Sequence, residues 1–403
     1  LDPTTVTAVK NGVVAEWESI RIEVFNIQPR RMGAVAEISL YSHGYLLDYC
    51  IQNIIDTQKT NNLVRKMSSL NKTPHWASMI TTALLLAKKA FDDQNPIQKI
   101  EDLLLLKQSF RWVARPFLAE NLPTILFGPG GTGKSKFAVW LSCMLQNGIE
   151  ADPWLKIKQA WNVLYLDWES DEEEMGYFCG GLRQANPEFI ELPLYRRCEQ
   201  PITSEAVNLS KMIASNKVDI IIIDSLALAC GGDPVSPESA FTFFRTIRFL
   251  GCHALILAHP PKYTEQGKMA DVFGSAFFQN LTRSVWEMQR VNEGSHHIGL
   301  FHRKCNYSQL FRPLGWEIKY SYDPWSVELA YKDLWGTDLE ARLPLGDRIE
   351  HLLGEAPNMT TKEITEGLGM DTKKWKIVFA ALTKDSRFDC TGKGKPEDET
   401  WFL

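Results

Sequence analysis

Residues 128–135 read Gly-Pro-Gly-Gly-Thr-Gly-Lys-Ser and follow directly on the apolar run Thr124-Ile125-Leu126-Phe127. Two glycines separated by four residues, then Lys and Ser, fit the phosphate-binding loop pattern, with a strand before it and a helix after it. The glycines let backbone N–H groups turn inward around phosphates, Lys134 reaches the β/γ oxygens, and the Ser135 hydroxyl is a ligand for Mg²⁺. The following segment, Lys136 to Leu145, reads as a helix whose N-terminal dipole adds partial positive charge beneath the phosphates. Gly128, Gly130, Gly131, Thr132, Gly133, Lys134, Ser135 and Lys136 are therefore expected to bind a nucleoside triphosphate, with ATP and Mg²⁺ as cofactors.

On either side of this loop, apolar runs alternate with helix-like stretches from about residue 116 to 335, the pattern of an α/β domain with a mostly parallel sheet. Val163-Leu164-Tyr165-Leu166, Val218 to Ile223, Ala254 to Ala258, Ser284 to Met288 and Ile298 to His302 are its further strands. Residues 1–95 form a small α+β unit. Strand-like alternation of Ile20, Ile22 and Val24, then Val35, Ile38 and Leu40, predicts a hairpin or small sheet over about 13–41, and a helical pattern is expected from Gly44 to Asp93. Residues 96–115 read as a linker, and a compact terminal unit occupies 345–403. A chain of 403 residues accommodates this number of units.

Three acidic or polar strand ends surround the loop in sequence. Val218 to Ile223 ends in Asp224, the layout of a Walker B strand whose acid holds the Mg²⁺ shell. Glu169 follows the strand 163–166 and is expected to orient or deprotonate the water that attacks the γ-phosphate, with Asp167 as the competing carboxylate. Asp171, Glu172, Glu173 and Glu174 suit the first turn of a helix. His259 ends the strand 254–258, where it is expected to sense the γ-phosphate. The loop 262–272, carrying Lys262 and Lys268, reads either as a nucleic-acid contact or as a solvated connection.

The order of phosphate loop, strand-end Glu, Walker B acid and His-Pro-Pro-Lys, followed by Gly274-Ser275-Ala276 and Arg283-Ser284-Val285-Trp286, resembles the RecA-like ATPases of the RepA type. These are ring-forming, hexameric replicative helicases of plasmids and phages, and the resemblance covers about residues 116–325. It implies ATP held between neighbouring subunits, single-stranded DNA in the ring, Glu169 as catalytic carboxylate and His259 as sensor. It further implies a cation acting on the neighbour's γ-phosphate, with Arg283 the first choice and Lys304, in His302-Arg303-Lys304-Cys305-Asn306, or Arg303 beside it as others. A regulatory or loader ATPase that unwinds nothing, and a filament-forming recombination or repair ATPase, are the rival readings.

The terminal unit opens on the amphipathic stretch 347–353. A capped segment, 359–370, follows, and then a helix bearing Lys373, Lys374 and Lys376 above Trp375, Val378, Phe379 and Leu382. With the Gly-Lys-Gly-Lys tip at 392–395, the order looks like a winged helix with recognition helix 372–382. Residues 344–403 hold 9 Lys/Arg against 11 Asp/Glu, so duplex DNA and a protein partner are both open. The whole chain, with net charge −5, excludes wholesale polybasic binding, so DNA contacts must be local. Eight cysteines without a Cys-x-x-Cys pair indicate neither a zinc site nor a disulfide framework. With no apolar run long enough to span a bilayer, a cytoplasmic protein with no membrane partner is expected. The first residue is Leu rather than Met, as in a trimmed chain.

Overall fold

The computed structural model describes residues 2–9, 12–30, 33–72, 75–92, 100, 111–151, 155–260, 276–292, 295–391 and 399–403. Its centre follows from the apolar run Ile220–Asp224, which is too short for a helix, rich in β-branched residues and buried at every position. Ile220 and Ile222 face one core and Ile221 and Ile223 the other, so this strand is covered on both sides. In chain order the strands here are β6 (Trp112–Ala114), β7 (Leu118–Ala119), β8 (Thr124–Phe127), β9 (Val163–Asp167), β10 (Leu194–Arg197), β11 (Ile220–Asp224), β12 (His253–Ala258), β13 (Ser284–Arg290), β14 (His297–Cys305), β15 (Leu314–Tyr322) and β16 (Trp325–Tyr331). Nine of them form one sheet in the order β10-β9-β11-β12-β8-β13-β14-β15-β16. Pairings from β10 to β13 are parallel, and those from β13 to β16 antiparallel. The expected mostly parallel sheet is present, extended at one side by an antiparallel meander.

Five strands precede the core: β1 (Thr5–Val9), β2 (Gly12–Trp17), β3 (Ile20–Arg30), β4 (Gly33–Ser42) and β5 (Tyr45–Asn53), paired as an antiparallel meander. Helices α1 (Thr57–Leu70) and α2 (Trp76–Asp92) cover this sheet with Leu63, Met67, Trp76, Ile80 and Leu84. The helical reading from Gly44 is corrected here, because residues 45–53 are a strand. His43 and Gly44 both take positive φ, 49° and 82°, and close a two-residue hairpin that pairs Ser42 with Tyr45. Leu46 and Ile51 are more than half exposed on this edge strand, so apolar residues lie on both faces and imitate a helical period.

The remaining helices are α3 (Lys134–Asn147), α4 (Glu172–Ala185), α5 (Ala206–Ser215), α6 (Leu226–Ala229), α7 (Pro237–Leu250), α8 (Ala276–Leu281), α9 (Leu345–Glu355), α10 (Thr361–Gly367) and α11 (Trp375–Lys384). Lys211 on α5 bonds Glu23 of the N-terminal sheet at 2.8 Å and lies 4.8 Å over Phe25, tying that unit to the core. In the terminal unit, α9, β17 (Met359–Thr360), α10, a 3₁₀ turn (Thr372–Lys374), α11, β18 (Asp389–Thr391) and β19 (Thr400–Phe402) enclose Ile349, Leu353, Ile364, Val378, Leu382 and Trp401. The expected helix from Thr372 is thus a 3₁₀ turn carrying Lys373 and Lys374 and an α-helix carrying Lys376, all three exposed. The unit meets the core through Arg312, 2.9 Å from Glu350, and through Trp335 stacked on His351 at 4.1 Å. The tip at 392–395, most of the linker 96–115, and the loop with Lys262 and Lys268 lie outside the described residues. Among the described residues, no helix is long and apolar enough to cross a membrane.

Candidate functional site

Parallel pairing of β8, β9, β11 and β12 brings their carboxyl ends together, and the expected site residues follow those ends. The phosphate loop leaves β8 and crosses over β13 so closely that a Cβ on Gly128 would stand 2.3 Å from the Met288 carbonyl oxygen. Gly133, with φ of 95°, makes the left-handed entry into α3 that a side chain would strain. Lys134 is 6% exposed, and its Nζ donates to the carbonyls of Gly128 at 2.8 Å and Pro129 at 2.9 Å, held by the loop it serves. Burial pulls its pKa down to about 8 against the opposing pull of Asp224 and Glu169.

Asp224 ends β11 beside the loop, accepting from Tyr165 OH at 2.7 Å and from the Ser135 hydroxyl. Burial raises its carboxyl to about 6, the two hydrogen bonds opposing that rise. Two hard oxygen ligands side by side, one of them a carboxylate, fit Mg²⁺, which takes one or two protein oxygens and completes its shell with water and phosphate.

The two strand-end carboxylates separate clearly. Asp167 is fully buried and accepts from the backbone N–H groups of Glu169 at 2.9 Å and Ser170 at 3.0 Å, from Tyr195 OH at 3.1 Å, and from the Ser170 hydroxyl. It shapes the turn that carries Glu169 forward. Glu169 lines the cavity, accepts from the Ser225 hydroxyl, and lies 3.5 Å from His259 Nε2. Its carboxyl is held below the usual range, chiefly by His259. The other ring nitrogen of His259 is 3.4 Å from Lys134 Nζ, so the imidazole stands between Lys134 and Glu169.

Arg283 and Lys304 lie elsewhere. Ser284 pairs with Thr124 and Cys305 with Ser284, which sets Arg283 and Lys304 at the strand ends opposite those that carry the phosphate loop. Arg283 is exposed, and among the described residues it has no carboxylate partner. Lys304 Nζ donates to the carbonyls of Gln279 at 2.6 Å, Asn280 at 3.0 Å and Thr282 at 2.8 Å, closing the carboxyl end of α8. Arg303 pairs with Glu287 at 2.6 Å.

The cavity around the loop, about 780 Å³, also contains residues that the sequence reading missed. Arg290, at the end of β13, has a buried Nε without a partner among the described residues. Tyr320, Tyr322 and Trp325 enter from the β15–β16 hairpin and Tyr177 from α4. Lys136, expected to hold phosphate, bonds Tyr320 OH at 3.1 Å. The aromatic density of Tyr320-Ser-Tyr-Asp-Pro-Trp325 was the available signal, but its distance in sequence from residue 134 hid the association.

A family model described as an AAA domain matches residues 96–265, the span that holds the loop, Glu169, Asp224 and His259. No curated protein matches the chain. These residues therefore form a nucleotide-binding domain of the P-loop ATPase type.

Proposed function

We propose that the chain is a ring-forming, RecA-like ATPase of the RepA type that hydrolyses ATP between subunits and moves on single-stranded DNA as a replicative helicase of a plasmid, phage or other mobile element. One observation carries this reading: Lys134, Glu169, Asp224 and His259 gather at the carboxyl ends of the parallel strands while exposed Arg283 stands at their amino ends. Four residues of β8 separate the two ends, about 13 Å of strand, so Arg283 suits the γ-phosphate of a neighbouring chain better than its own. Lys304, spent on three carbonyls, is the weaker finger.

In this mechanism Lys134 exchanges its two loop carbonyls for the β/γ oxygens of ATP. Ser135 and Asp224 would hold Mg²⁺, which when bound would supply positive charge beside the phosphate oxygens. Glu169 orients the attacking water and takes its proton, while His259, touching both Lys134 and Glu169, passes the loss of the γ-phosphate toward the following loop. That loop, through Lys262 and Lys268, contacts single-stranded DNA in the channel. The helix, strand and helix order of residues 345–403 supports a winged helix whose Lys373, Lys374 and Lys376 meet duplex DNA or a partner protein. A hexamer in the cytoplasm goes with this reading.

The test is strand displacement on a forked duplex, with mixtures of Glu169→Gln and Arg283→Ala chains assayed for ATP turnover. Displacement, and partial recovery of turnover in the mixture, are expected, because some interfaces then join an intact Glu169 to an intact Arg283. Turnover without displacement would favour the loader reading, filaments in images with an ATP analogue the recombination reading, and no recovery in proven mixed assemblies would refute action in trans.

A further inference from the structure

Phosphate chemistry occupies only one end of the cavity. From the other, Tyr177, Tyr320 and Trp325 present a ladder of rings: Tyr177 and Trp325 stack at 4.4 Å and 14°, and Trp325 and Tyr320 lie 6.1 Å apart at 20°. We propose that this aromatic wall is a stacking site for the base of the nucleoside triphosphate, and that the site holds the base by its ring face rather than by reading its edge. The proposal rests on the reading of residues 128–135 as a triphosphate site.

Placement supports it first. The wall is joined to the phosphate loop, since Ile318 on the same hairpin stands 3.3 Å from where a Cβ on Gly133 would be. Lys136, in the first turn of α3, donates to Tyr320 OH at 3.1 Å, which ties the wall to the helix that follows the loop. Preorganisation supports it next. Trp325 Nε1 donates to the Tyr177 carbonyl at 3.0 Å, and α4 comes so close at Gly181 that a Cβ there would meet the indole nitrogen at 2.5 Å. The rings are fixed in place, so stacking costs little further ordering.

Edge readout, by contrast, needs desolvated donors and acceptors. Of the polar side chains in this lining, Glu174 and His296 are exposed to water and Lys136 is already engaged by Tyr320 OH. A site that discriminates by apolar and aromatic fit separates related ligands by roughly 10–200-fold, whereas one with buried hydrogen bonds to the ligand edge reaches about 10⁴-fold or more.

The experiment measures binding of ATP, GTP and inorganic tripolyphosphate, each with Mg²⁺, to the full chain and to its Tyr320→Ala, Tyr320→Trp and Lys134→Ala variants. Base–aromatic stacking converts to about 5- to 140-fold in affinity. Wild type should bind ATP and GTP within about tenfold of each other, and both at least about fivefold more tightly than tripolyphosphate. Tyr320→Ala should collapse that ratio while leaving tripolyphosphate affinity in place, and Tyr320→Trp should restore it. Comparing ligands within one variant keeps the test valid if folding is partly impaired. Equal binding of ATP and tripolyphosphate to wild type, an unchanged ratio in Tyr320→Ala, or a preference for ATP over GTP beyond about 200-fold would overturn the proposal. Failure of the triphosphate reading looks different: Lys134→Ala would then bind tripolyphosphate as well as wild type does.

Discussion

Asp224→Asn should make the nucleotide-free protein more stable while removing its ability to use Mg²⁺-nucleotide. Asp224 is 4% exposed, and burial raises its carboxyl from 3.8 to about 6. The folded state therefore binds more protons than the unfolded one between those values, and stability falls as pH rises through that window. About two units at 1.36 kcal/mol each put the cost near 3 kcal/mol above pH 6, about half of it at pH 5, and about a fifth at pH 4. Asparagine keeps an acceptor for Tyr165 but brings an amide that needs one of its own, so the net gain should be about 1–3 kcal/mol. For a core of this size that is roughly 2–12 °C in thermal midpoint. The assay follows thermal unfolding of both proteins from pH 4 to 8 without nucleotide or Mg²⁺. The gap should open between pH 4 and 6 and then stay level. Adding Mg²⁺-ATP at a hundred times its dissociation constant should then raise wild type by about 2.7 kcal/mol and leave the variant unmoved. A gap independent of pH, or a wild type more stable than the variant at pH 8 without ligand, would refute the argument that desolvation dominates at Asp224.

Glu169→Gln should retain ATP binding while hydrolysis falls about 10²- to 10⁴-fold, since the amide keeps the shape and loses the basic oxygen; single-turnover rates beside equilibrium binding check this. Asp167→Asn should act mainly on folding, lowering the thermal midpoint by disturbing a turn held by four donors. Lys304→Met should cost about 1.5–3 kcal/mol by leaving three carbonyls without their charged donor, seen as a lower midpoint, with turnover following the folded fraction.

Much of the core was legible because short-range rules govern it. A phosphate loop needs its glycines, Lys and Ser at fixed spacing, and a strand buried on both faces must read as a continuous apolar run, as residues 220–223 do. The edge strand 45–53 was not legible in the same way. With apolar side chains on both faces its periodicity is ambiguous, and only the pairing imposed by the His43–Gly44 hairpin settles it. Lys304 shows the same limit at a single residue: its neighbours in sequence give no sign of the three carbonyls it holds, which lie more than twenty residues earlier.

By itself, the sequence determined that residues 128–135 form a phosphate loop, that Asp224 ends a buried strand, and that an acid stands at the end of the strand before it. Those are local facts, set by backbone conformation and by burial along a single strand. Tertiary structure decided which of Asp167 and Glu169 enters the cavity, because one turn buries the first among donors and turns the second outward. It also decided that Arg283 and the loop stand at opposite strand ends, since strand direction in a parallel pair is a property of the sheet. The aromatic wall beside the loop belongs to it as well, for Trp325 stacks on Tyr177 and Tyr320 meets Lys136 only once the meander folds back over α4.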